Sequence, residues 1–324
     1  MKWRYRQLLI VYNKCINYWD ILMKLCVLAA HLMYHGFLHY ILRLPEVLFM
    51  EKRPVAYQLY SAREDCAKDL NAVLAELKRL GYDGVEFAGF YGHTAQEVKT
   101  LLDANGLIAI SDHVPLALIE ENPYGVIADH LYIGCKYIAV PYMDDEHRPG
   151  AKGFAHSLQV INRFARLCKE AGIQLLYHNH DFEFVQLSGM YALDFLYESI
   201  PACLLKTELD VCWVKYAGEN PADYIRKYAG RCPVVHLKDY VGKKAEDGGT
   251  PYALIGIDDG EKKETQAFEF RPFGYGCQDV NAVLKAGIES GAEWFIIEQD
   301  MSIGRTPLEA AALSMDTLRK AGLK

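Results

Sequence analysis

Residues able to ligate an ion or carry a proton recur at one kind of place in this sequence, the C-terminal end of a short apolar run. Glu86 closes the second such run, Asp112 and His113 the third, and Tyr142 follows the fourth. His178, Asn179 and His180 end the fifth, Asp210 the sixth, His236, Lys238 and Asp239 the seventh, and Glu298 the eighth. Imidazole nitrogen with carboxylate oxygen, and no thiolate among them, suits one divalent ion such as Mn2+, Co2+, Mg2+ or Zn2+. Such an ion can polarise a carbonyl and hold two adjacent sugar oxygens, which eases removal of the proton between them. It can equally activate water, so the ligand chemistry leaves proton transfer and hydrolysis both open. Taken singly, each residue has a plain structural use, since carboxylates cap helices and strand-end histidines bond loop backbone. Independent caps would not need to be this mixture of His, Asp and Glu.

The elements that must position them are short. Strands are predicted at Val55–Tyr60, Gly84–Phe87, Ala109–His113, Tyr137–Pro141, Gln174–His178, Leu204–Leu209, Val234–Leu237 and Trp294–Glu298. Between them run stretches with apolar residues at the helical period, among them Asp65–Leu80, Glu97–Asn105 and Ser157–Ala171. These are closed by Gly81, Gly106 and Gly172, each suited to a left-handed cap. Eight β/α units over about 270 residues fit an α/β fold, a (β/α)8 TIM barrel, whose active site lies at the C-terminal ends of the strands. A doubly wound sheet is the alternative, but no GxGxxG follows the first strand. The longest irregular stretch is Tyr240–Gly276, and loops of that length are often functional.

Residues 1–49 differ from the rest. They hold six basic and two acidic residues, a charge of +4, so with −7 overall the remaining chain carries −11. Their first apolar run, Leu8–Tyr12, is too short for a signal-peptide core. Cys26–Leu42 is apolar apart from His31, His35 and His39, and falls short of a membrane span. The three histidines would share a helix face, without a carboxylate to support metal binding. The expected division is an atypical hydrophobic extension at 1–49 and a barrel at 50–324, with the functional chain beginning at Met50. Charged residues make up 24% and hydrophobic residues 51%, which excludes collagen and intrinsic disorder. The acidic balance opposes nucleic acid binding by bulk charge. Nine scattered cysteines without a CxxC pair read as reduced core thiols, hence a cytoplasmic protein with no membrane partner.

Several segments carry a family resemblance: AYQLYSARED (56–65), GYDGVEFAGFYG (81–92), YHNHDFEF (177–184), ELDVCW (208–213), VVHLKD (234–239), FRPFGYGCQD (270–279) and FIIEQD (295–300). From residue 54 to about 320 the chain resembles the xylose-isomerase-like TIM barrels. Within them it is similar to the sugar phosphate isomerase/epimerase group, which includes inosose dehydratase and ketose 3-epimerases. The resemblance implies a metal held by Asp210, His236 and Glu298, with His178 at the fifth-strand position where relatives commonly carry Glu. That Glu doubles as an acid/base group in the epimerases, so here Glu298 is expected to work with His180, or with Glu183 reaching back from the loop. Alternation along a strand puts His178 and His180 on one face and turns Asn179 away.

The substrate-side candidates are Glu86, His113, Trp213, Lys238 and Arg271. His113 and Arg271 resemble residues close to metal or substrate in relatives, and Lys238 is expected to bond a substrate hydroxyl or to pair with Asp239. Trp213 stands where related nucleases carry a further metal-binding histidine, which argues for a single ion; it could wall a sugar ring or pack in the core. The resemblance therefore implies a metal-dependent isomerase or epimerase acting on a small-molecule sugar. A lyase of the inosose dehydratase or 3-keto-glycoside type is the alternative. An apurinic-site nuclease is more remote, being opposed by the charge of −11 and by Trp213. A homo-oligomer stays open.

Overall fold

Every predicted apolar run forms a strand, and all eight are parallel: β1 (Val55–Gln58), β2 (Gly84–Phe87), β3 (Ile108–Asp112), β4 (Tyr137–Val140), β5 (Gln174–His178), β6 (Leu205–Asp210), β7 (Val234–Leu237) and β8 (Trp294–Ile297). The computed structural model describes residues 51–243, 251–256 and 268–324, together with Met23. Expectations for residues 1–49 otherwise lie outside the described residues, and the chain divides into two units between Met50 and Glu51. Among the described residues no helix is long and apolar enough to cross a membrane.

The strands hydrogen-bond in the order β3-β2-β1-β8-β7-β6-β5-β4. A parallel bridge between His113 and Ala139, with Val114 N–H donating to the Ala139 carbonyl at 2.9 Å, brings β3 against β4 and makes the ring a barrel. Alternation decides what fills it. Ala56, Ile110, Ala139, Leu176, Val234 and Ile296 pack together as an apolar layer. Two residues further along their strands come Gln58, His178, His236 and Glu298, so a polar layer sits on the apolar one.

Helices follow the strands: α1 (Arg63–Leu80), α2 (Ala95–Asn105), α3 (Pro123–Ile133), α4 (Phe154–Ala171), α5 (Ala192–Ser199), α6 (Pro221–Lys227), α7 (Val280–Glu289) and α8 (Pro307–Lys320). In α4 the residues Val160, Ile161, Phe164, Ala165 and Cys168 are buried at helical spacing. Gly81, Gly106 and Gly172 end α1, α2 and α4 with φ of 94°, 62° and 84°, and Thr94 and Thr306 open α2 and α8 with capping boxes. The first strand is shorter than expected because the Gln58 side chain accepts the Tyr60 N–H at 2.9 Å and turns the chain into a 3-10 turn, Leu59–Ala62.

After β7 the stretch Asp239–Val241 pairs antiparallel with Glu269–Arg271. The Asp239 carboxylate accepts backbone N–H groups from Tyr240, Gly274, Gly276, Cys277 and Gln278 at 2.9–3.1 Å. A Cβ at Gly276 would run into that carboxylate, so only glycine fits there. Asp239 therefore ties down the returning loop and is not the partner of Lys238. The seven described cysteines are free. Five are buried as expected, whereas Cys203 and Cys277 are exposed, outside any core.

Candidate active site

Two layers of ionisable side chains meet at the C-terminal mouth. In the lower layer Glu208 Oε1 lies 2.6 Å from His113 Nε2, 3.1 Å from His178 Nδ1 and 3.0 Å from His236 Nε2. Its Oε2 has no hydrogen-bond partner. Glu86 Oε2 lies 2.8 Å from His236 Nε2 and 3.2 Å from His113 Nε2, and accepts the Gln58 amide at 2.7 Å. Glu86 Oε1 accepts the Ser111 hydroxyl. Hydrogen bonds to Glu208 fix the hydrogen on His113 Nε2 and His178 Nδ1, whereas His236 Nε2 lies near both carboxylates without a hydrogen bond. His178 Nε2 and His236 Nδ1 face the upper layer, where Asp210 Oδ2 is 3.7 Å from the first and Glu298 Oε2 2.9 Å from the second.

These four side chains, His178, Asp210, His236 and Glu298, bring one nitrogen or oxygen each to within 4.8 Å of one another, all buried. They fit a divalent ion. The donors are two imidazoles and two carboxylates, and Asp210 Oδ2 is buried with no hydrogen-bond partner. Its other oxygen accepts the Cys212 and Trp213 N–H groups at 2.7 and 3.2 Å, which fixes the carboxylate. A buried anionic oxygen without a donor is costly unless a cation meets it. A spread of this size leaves room for one ion at ~2.0–2.2 Å from each ligand. A second group, His113, His178, Glu208 and His236, meets the same distance criterion and shares both histidines.

Charge follows from this packing. Burial works against a charged His113, but Glu86 and Glu208 outweigh it and raise its pKa to about 10. The same pair holds His236 well above the usual imidazole range, again against burial. Burial pushes His178 and His180 well below that range. Glu298, although buried, is held well below the carboxylate range by Lys238 and His236. Burial pushes Asp210 and Asp300 up, with Lys238 opposing. The Lys238 ammonium lies 2.5 Å from Asp300 Oδ2, 3.4 Å from Glu298 Oε2 and 3.8 Å from Asp210 Oδ2.

A cavity of about 600 Å³ opens over this centre, and His113, His178, His180, Lys238, Glu298 and Asp300 line it. His180 lies just past β5, its ring stacked on Phe182 (5.4 Å between centroids) and tilted towards Trp213 at 5.3 Å. Its Nδ1 is buried with no partner. Asn179 turns away, as alternation requires, and accepts the Asp210 N–H at 3.0 Å.

The remaining sequence candidates are placed elsewhere. Glu183 does not return to the cavity. The 3-10 turn Phe182–Phe184 points its carboxylate back at the Tyr177 hydroxyl (2.6 Å) and the His180 N–H (2.8 Å), where burial raises its pKa to about 8. Glu86 sits beneath the ligands, fully buried, and orients imidazoles; it does not line the cavity. Trp213 is packed in an aromatic cluster with Tyr216, Tyr252, Phe268 and Phe270 and does not line the cavity, but it backs two residues that do, His180 and Lys238. Arg271 is half-buried, pairs with Glu269 at 2.8 Å, and does not line the cavity. Sequence reasoning missed Glu208 and Asp300. Each stands two residues from a chosen carboxylate, on the same face of its strand or extension, and that spacing was the available signal.

Across the mouth, over β2 and β3, Asp112 accepts the Gly89 N–H at 3.0 Å and lies 2.8 Å from His130 Nε2. His130 Nδ1 faces the Val126 carbonyl at 2.6 Å. With an acceptor at both nitrogens the ring is an imidazolium, and its pKa is raised although burial opposes this.

Residues 127–321 match the family profile described as a xylose isomerase-like TIM barrel. No curated protein matches the sequence. Among solved structures, the fold is similar to a sugar phosphate isomerase/epimerase from Parabacteroides distasonis, at 22% identity and a TM-score of 0.66, over 84% of this chain and 99% of that one. It is similar to an L-ribulose 3-epimerase at 15% identity and 0.59, over 84% and 95%. A probable 3-DHS dehydratase from Bacillus anthracis matches at 12% identity and 0.63, over 82% and 98%.

Proposed function

The chain belongs to the xylose isomerase-like TIM-barrel family, and from that premise we propose that it is a divalent-metal-dependent isomerase or epimerase that moves a proton beside the carbonyl of a keto sugar or sugar derivative. The observation that carries this reading is the gathering of His178, Asp210, His236 and Glu298 within 4.8 Å, two of which, His178 and Glu298, line a cavity together with His180 and Lys238. When bound there, a divalent ion would polarise a carbonyl and acidify the C–H next to it.

The chain's own groups supply the rest. Proton transfer between two carbons, or its return to the opposite face of one, needs a carrier on each side of the substrate. Glu298, kept ionised by its cationic neighbours, is the acceptor on the β8 side. His180, three strands away around the ring, presents an unbonded Nδ1 on a ring that Phe182 and Trp213 hold in place. The Lys238 ammonium, between Glu298 and Asp300, donates to a substrate hydroxyl and orients it. A small-molecule sugar is the partner in this reading and nucleic acid is not, in keeping with a charge of −11 beyond residue 49.

The test is NMR of a keto-sugar panel incubated with the protein and Mn2+ in D2O. Solvent deuterium appearing at the carbon next to the carbonyl, in an isomerised or epimerised product, is the expected result. Loss of water or of a β-substituent would replace this reading with elimination, which begins with the same proton removal.

A further inference from the structure

The cavity has two ends of opposite chemistry. At the β5–β8 end the lining is ionisable, with His178, His180, Lys238, Glu298 and Asp300, and His180 Nδ1 has no hydrogen-bond partner. The other arm runs over β2 and β3, between the β2–α2 loop and α3. Phe90, Val114, Pro115, Leu118 and Val126 line it. Its polar side chains are already engaged with each other or with backbone. Asp112 is taken by Gly89 and His130, both His130 nitrogens face acceptors, and Asn122 Oδ1 accepts the Gly125 N–H at 3.1 Å. Tyr60, at the side, donates to the Ile255 carbonyl at 2.8 Å. Asp129 stands exposed at the rim.

A free sugar carries hydroxyls on every side. Placed in this arm it would give up water for a wall that offers few partners, and a buried hydroxyl without one costs free energy. An apolar group placed there gains by leaving water. The cavity, about 600 Å³, also exceeds what a free pentose or hexose fills and lies within the range of drug-sized ligands.

Resting on the reaction read above, we propose that the substrate is a sugar-type hydroxy-ketone bearing an apolar aromatic or aliphatic substituent, with the sugar at the β5–β8 end and the substituent in the arm over β2 and β3. Leu118 and Phe90 are then specificity-determining residues. Neither belongs to the ligand quartet or the proton carriers.

The test is calorimetric titration of the full-length protein, with and without Mn2+, using methyl and phenyl β-D-glucopyranoside as a matched pair. The phenyl compound is expected to bind about tenfold tighter or more, with or without the metal, because the arm lies across the mouth from the ligands. Leu118 is half-exposed on a short surface helix, so Leu118→Asp should fold normally, leave methyl glucoside affinity unchanged and remove most of the phenyl preference. Phe90→Ala should reduce that preference without adding charge. Equal affinities, a preference that survives both substitutions, or no binding of either compound at millimolar concentration would overturn the proposal. The readout is binding, so the two readings fail separately. A phenyl preference without deuterium exchange would remove the reaction and leave the arm, and exchange on free keto sugars without a phenyl preference would do the reverse.

Discussion

Glu208 and Asp210 stand two residues apart on one face of β6, yet the layers they belong to do different work. Glu208, with Glu86 beside it, receives imidazole nitrogens from three strands and meets no cavity. Asp210, with Glu298, faces the nitrogens that the lower layer leaves available. In the lower layer Glu208 sets which nitrogen His178 presents; the upper carboxylates share the ring nitrogens that face them with whatever binds. A carboxylate's role in this barrel follows from its depth along the strand more than from its identity.

Removing a ligand of the quartet should have the largest effect. Asp210→Ala and His178→Ala are each expected to lower Mn2+ affinity by orders of magnitude in calorimetric titration, since three ligands leave the site incomplete. Glu298→Gln and His180→Asn should each reduce turnover by about 100-fold or more, the usual contribution of a general acid or base, while the folded protein stays soluble. His180→Asn should also keep most of its metal. Metal lost by His180→Asn and retained by His178→Ala would exchange the two histidines' roles.

The lower layer should matter less for the metal. Glu208→Gln is expected to weaken Mn2+ binding about 10- to 100-fold, as the loss of an outer partner does. An effect as large as that of Asp210→Ala would make His113, His178, Glu208 and His236 the ligand set and erase the distinction between layers.

The smallest effect belongs to the rim over β2 and β3, where His130 is structural. Its pKa is raised in the folded protein, so the stability it contributes is fully present below the unfolded value of about 6.5 and is lost as pH rises through the folded value. His130→Asn should therefore lower stability by about 1–2 kcal/mol near pH 6, and the gap to wild type should narrow at higher pH in urea unfolding. A gap that widened with pH would mean that the ring is neutral in the folded protein.

Much of this was legible before any coordinates. Apolar runs of four to six residues, most of them ending at or beside an ionisable side chain and the first four units' helices closed at glycine, specify β/α units, and depth at the mouth follows from being last on a strand. His178, Asp210, His236 and Glu298 were found for that reason. Glu208 was passed over because a strand interior is expected to be apolar, although its spacing from Asp210 placed it on the same inward face. Glu183 and Arg271 could not be placed, because their direction depends on a single turn and on a hairpin partner. The 3-10 turn returns Glu183 to the backbone that leads into it, and pairing with Asp239–Val241 sets Arg271 beside Glu269. Neither turn direction nor hairpin register is written in residue type alone.

The loop that Asp239 fastens has a further consequence. Asp239–Val241 and Glu269–Arg271 form a two-stranded neck, and one carboxylate anchors it through four backbone N–H groups after the returning strand and a fifth, from Tyr240, on the outgoing side. The ends of the excursion are thus held together by the neck itself. Lengthening such a closed loop is cheap, about 0.6 kcal/mol for each doubling. Chain entropy alone does not make the segment a free port for insertion, because Tyr252 packs beside His180 and Trp213 and Ile255 forms part of the cavity wall. A tag or an exchanged loop should be carried here only where those two side chains keep their places, and an insertion that displaced them would reach the site as surely as one between His178 and Glu183.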